Sequence, residues 1–230
     1  MNPKTVVELN AFLDRTALFQ EDVTKHLSAL EPVPVERYLI AYQAGALSIE
    51  HGHSILLLIR EGLHTSAMAL MRPQFESLLR GVWLLYAATE TWVEKLGQPL
   101  THETANSANK APMVADMLKE LEAAADAPKH IVAQLREFQR ETGKALNSFT
   151  HGGLHPLSRS ANGYSAQLIY DVMRNANAVT ALTGQLLVVL TADPANMAPL
   201  REMHVTYADC LHIIGAVTAP ESKSELKQGA

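Results

Sequence analysis

Almost every stretch of this chain between residues 6 and 217 places its apolar side chains three and four apart, the spacing of one helix face. No stretch alternates β-branched residues, and no Asn-Gly or Asp-Gly hairpin signal interrupts the pattern. The expected fold class is therefore all-α, a bundle of about seven helices. Val6, Leu9, Phe12, Leu13, Leu18 and Phe19 open a first helix that runs to about residue 30. Glu31-Pro32-Val33-Pro34 ends it, because each proline removes a donor and pushes its predecessor out of the helical region. A second helix is expected over 35–61 with Gly62 as its cap, and a third, capped by Thr65 or Ser66, over 65–95 with a kink at Pro73. Residues 97–112 read as a loop, and further helices follow over 113–125, 128–150, 165–190 and 200–217. No internal repeat is present, so residues 1–217 are read as one domain and 218–230, without a stripe, as a disordered tail.

Composition narrows the function classes. With 47% hydrophobic and 19% charged residues the 230-residue chain can build a large core. A net charge of −5 argues against bulk DNA binding through phosphate contacts. Cys210 is the single cysteine, which excludes an intrachain disulfide and a Cys-based zinc site. Residues 175–192 carry no charge, but Asn175, Asn177, Thr180, Thr183, Gln185 and Thr191 make a buried helix the expectation rather than a membrane span. Met1 leads directly into an amphipathic pattern, and a cytoplasmic location is expected.

The histidines raise the question of metal. Glu50/His53 and Glu61/His64 are two Glu-x-x-His units, the pattern of ferritin-like di-metal bundles. Both lie in one segment, separated by roughly 16 Å of helical rise, too far for one cluster. A three-histidine site drawn from His51, His53, His64, His151, His155, His204 and His212 is an open alternative, and would suit a metal-dependent hydrolase. Ten histidines need no metal to account for them, since caps and solvent accommodate most. No metal and no cofactor is expected.

Two other features carry more chemistry. Arg72, Glu76 and Arg80 fall at i, i+4 and i+8 among apolar neighbours such as Met71, Phe75, Leu79 and Trp83, which makes them candidate ligand-binding residues lining a cavity. In "NSFTHGGLHPL", residues 147–157, Asn147 and His151 share one helix face just before a Gly152-Gly153 break. An imidazole beside an amide can hold an anion or move a proton, so Asn147 and His151 are the candidate catalytic pair. Ser148 points elsewhere, and His155, followed by Pro156, reads as structural or solvated. The competing reading is a plain helix end at which His151 favours the dipole.

"SAMALMRPQFESLLRGVWLLYAA" and "LNSFTHGG" resemble segments of bacterial helical families of unknown function that look like relatives of the HEPN superfamily. Many members of that superfamily are ribonucleases of toxin–antitoxin and phage-defence systems. Their motif is an arginine, a polar residue (often Asn), three residues and a histidine. Asn147 matches the polar position and His151 the histidine, whereas the arginine position is Leu146. In such metal-independent ribonucleases the Arg and His would orient the ribose 2′-hydroxyl and stabilise phosphate charge. The resemblance thus implies a HEPN-like bundle, linked to defence or stress systems, that binds a ligand, nucleotide or partner without catalysis. The alternative is a divergent ribonuclease in which Arg72, Arg80 or Lys144 stands in for the missing cation. Expected partners are a second copy in a homo-oligomer and a small ligand, RNA or protein, with no membrane. Asn147 and His151 are expected to face a cavity that Arg72, Glu76 or Arg80 also lines.

Overall fold

The computed structural model describes residues 5–108 and 110–211. The described residues form ten α-helices and no strand: α1 (Val6–Leu27), α2 (Glu36–Arg60), α3 (His64–Tyr86), α4 (Glu90–Gly97), α5 (His102–Ala108), α6 (Val114–Ala123), α7 (Lys129–Thr150), α8 (Leu154–Asn162), α9 (Ala166–Val189) and α10 (Met197–Thr206). The all-α class holds, and the count of about seven is corrected to ten. The segment expected as one helix over 65–95 breaks after Tyr86, because Arg37 of α2 caps its end. The Arg37 Nη1 donates to the Leu84 and Ala88 carbonyls (2.5 and 2.9 Å), and its Nη2 meets Glu90 of α4. Two further helices, α5 and α8, occupy stretches read as loops. The last helix begins at Met197 rather than 200, since Pro199 falls in its first turn, where no N–H is needed. Its expected continuation to 217, His212 and the 218–230 tail lie outside the described residues.

Local chemistry explains most of the ends. Thr5 and Glu8 close a capping box at the start of α1. Gly62, at φ 73°, turns the chain out of α2 as expected. Neither Thr65 nor Ser66 caps α3; Leu63 holds that position without a side-chain bond, and the Thr65 hydroxyl meets the Tyr164 hydroxyl at 2.7 Å instead.

The helix pair α2–α3 packs against α9, with α1 on the α9 side and α6 and α7 against α3. One contiguous core includes Phe19, Ile55, Phe75, Leu79, Trp83, Leu121 and Tyr170, all essentially buried. A buried polar network threads it. Gln74 donates to the Ala176 carbonyl and the Thr180 hydroxyl. Asn177 donates to Thr16 and to the Cys210 carbonyl, and Gln20 donates to the Gly52 carbonyl and to Asn177. Ser48 joins the Gln74 carbonyl and Thr183. The polar residues of the uncharged stretch 175–192 are thus held inside protein, and no helix among the described residues is long and apolar enough to cross a membrane.

Candidate functional site

α7 ends in a Schellman turn. His151 is its C-cap, Gly152 takes φ 67° and the Gly153 N–H donates to the Ser148 carbonyl at 2.8 Å. Only glycine adopts that φ without strain, so the first of the two glycines is required by the turn itself. Beyond it the Ser148 hydroxyl accepts from the His155 N–H at 3.1 Å, starting α8. Pro156 is buried in the first turn of α8, while the His155 ring lies exposed, 5.9 Å from Phe149. The turn leaves Asn147 and His151 exposed on one face of the last turn of α7.

Arg72 of α3 reaches that face. Its Nη1 donates to Asn147 Oδ1 at 2.5 Å and contacts His151 Nε2 at 3.1 Å, while its Nε donates to Glu76 Oε1 at 2.6 Å. A guanidinium only donates, so His151 Nε2 is the acceptor in this contact. Three of the five guanidinium protons are thereby committed. The Nη2 pair has no protein partner among the described residues, and the Arg72 side chain is 24% exposed. The cluster therefore offers a fixed cationic fork at the surface, shaped to meet an oxyanion. Glu76, itself 35% exposed, offsets much of the charge.

Arg80 does not join them. Eight residues along a helix is about 80° of rotation and about 12 Å of rise, so Arg72 and Arg80 diverge. Arg80 turns toward the Trp83 ring, 5.8 Å from its centroid, and its Nη1 is buried without a partner. Burial lowers its pKa against the opposing charge of Glu76. The Arg–Glu–Arg row read from spacing is thus one ion pair and one separate arginine. Of the three, Arg72 is the one that meets Asn147 and His151, at the surface. A hollow of about 70 Å³ lies between Phe75, Phe138, Glu141 and Asn175.

Leu146 is half-buried against the core, so the position at which the resembled motif carries arginine serves packing here. The metal patterns dissolve. His53 pairs with the Thr24 hydroxyl at 3.1 Å, His64 lies against Tyr164, and among the described residues no three His, Cys, Asp or Glu side chains are grouped to hold a metal.

Fold and cluster together define the class, a single-core α-helical bundle presenting an arginine–amide–imidazole cluster at its surface. A family of unknown function, DUF6988, matches residues 45–213, and the chain belongs to that family. The match spans Arg72, Glu76, Asn147 and His151 and leaves out α1. No curated protein and no solved structure matches the chain.

Proposed function

We propose that the chain is a HEPN-like module that binds a phosphate-bearing ligand, a nucleotide or RNA phosphodiester, at Arg72 without cleaving it. One observation supports the reading above the others: the Arg72 guanidinium is oriented by Asn147 and His151 while its Nη2 edge has no protein partner among the described residues. Planar guanidinium edges match phosphate oxygens, and this one, arriving from α3, supplies a cation where the motif position has Leu146. Catalysis is disfavoured because the His151 nitrogen that would act as base already accepts from Arg72. A cytoplasmic setting and a role in defence or stress belong to the same proposal and rest on the resemblance. So does a homo-oligomer, for which Leu154 and Leu157 on α8, 77% and 66% exposed beside the cluster, offer the surface.

The second reading is a ribonuclease, favoured by the contact of Arg72 with both motif residues. Fluorescence anisotropy with labelled ATP and a labelled RNA 12-mer, with gel analysis of the RNA, separates the two. The expected result is saturable binding that Arg72→Ala weakens by about tenfold or more, the worth of one charged hydrogen bond, with the RNA intact. RNA cleavage abolished by Arg72→Ala and by His151→Ala would replace binding with ribonuclease. No binding of either probe at low salt removes both readings.

A further inference from the structure

At the far end of α3 and α7 from Arg72 lies a second, larger cavity of about 360 Å³, bounded by α3, α7, α9 and α10. That volume falls within the range of small-molecule sites, roughly 300–1,000 Å³. Val82, Leu182, Leu186 and Met197 make its walls apolar. Tyr86, His130, Gln185, Arg201 and His204 are the polar groups on its lining, which includes no aspartate or glutamate.

Two of these polar groups are left over by the fold. Arg201, exposed at the edge of the apolar hollow, makes no hydrogen bond and no ion pair among the described residues. His204 Nε2 is buried and has no hydrogen-bond partner among the described residues. Buried polar atoms are nearly always satisfied, so an orphan on a residue that lines a cavity points to a missing partner. Burial lowers the His204 pKa, so the ring is favoured in its neutral form and can donate through Nε2 to an acceptor. The Tyr86 pKa is raised by burial and then by Tyr38, which keeps its hydroxyl a neutral donor. A neutral imidazole, a phenol and an unpaired guanidinium around an apolar hollow match one kind of guest, an apolar body ending in a single negative head.

We infer that this cavity binds a small amphipathic monocarboxylic acid, its carboxylate on Arg201 and His204 and its hydrocarbon body against Leu182, Leu186 and Met197. The site is independent of the Arg72 cluster, and either can fail without the other. Phosphate-rich ligands suit it poorly, because a single arginine serves a monoanion and the hollow is otherwise apolar.

Isothermal titration of the full-length chain with decanoate, kept below its micellar concentration, tests the inference. Acetate and decanol serve as the head-only and tail-only controls. The expected result is one saturable site for decanoate, with both controls at least about tenfold weaker. Arg201→Gln, which breaks no internal bond, should weaken decanoate about tenfold or more. Val189→Trp, which fills the rim of the cavity, should abolish binding, and Arg72→Ala should leave it unchanged. No saturable binding would overturn the inference. So would uptake at several equivalents that neither Arg201→Gln nor Val189→Trp alters. Circular dichroism of each variant confirms folding, and Arg201→Gln remains decisive if Val189→Trp does not fold.

Discussion

Gly52 shows how closely single atoms are specified in this core. A Cβ there would lie 2.8 Å from Thr180 Oγ1 and 2.9 Å from Gln74 Nε2, the two atoms that hydrogen-bond each other. Gly52→Ala gains up to about 1 kcal/mol of helix propensity. It also overpacks the core and strands a buried amide, effects of roughly 1–3 kcal/mol each. Destabilisation wins, and the expected net loss is roughly 2 kcal/mol, read from the urea midpoint. His204 makes a pH-dependent prediction. Its pKa is lowered in the folded state by burial, so below about pH 6.5 the unfolded chain takes a proton that the folded chain resists. Stability is therefore retained above that pH and falls as pH drops from 7 to 5. In His204→Gln the fall should be shallower, with His64, also lowered by burial, accounting for part of the remainder.

Among the elements, α3 depends on a residue it does not contain. Arg37, whose side chain is 19% exposed, satisfies two carbonyls at the end of α3 and ties α4 through Glu90. Removing the charge in Arg37→Met strands those acceptors, at roughly 2 kcal/mol. For a chain of this size that is a fall of roughly 4–8 °C in Tm, measurable by calorimetry. The same cap explains why the break after Tyr86 was not legible, for an arginine about fifty positions earlier carries no local signal. Helices with a buried stripe, such as α1, α2, α7 and α9, were legible to within a few residues, because burial of that stripe is what makes them helices. α5 buries no residue and α8 only Pro156, so neither leaves an apolar period to read. At the site, the shared face of Asn147 and His151 followed from their spacing of four. The arrival of Arg72, 75 and 79 residues away, is a tertiary fact, as is the divergence of Arg80. The Arg201–His204 cavity was invisible, since its walls come from four separate helices.

For the whole molecule, the family match begins at residue 45, yet α1 seals the core that the matched region builds. Phe12 lies against Tyr170, and Phe19 and Val23 are fully buried. Deleting residues 1–30 would expose those partners and should abolish the cooperative thermal transition, with a rise in binding of a hydrophobic dye as the reporter. An intact sharp transition would show that α1 is an accessory. The buried polar network has a consequence of another kind. Helices that meet through glycine, alanine and leucine can slide past each other by a turn and bury nearly the same hydrocarbon area. The side-chain N–H groups of Gln74, Gln20 and Asn177 find their acceptors only when α1, α2, α3 and α9 stand in one register. A slip would leave those amides facing methyl groups. Hydrocarbon burial supplies most of the attraction between these helices; the amides choose which of several near-equal alignments the chain adopts.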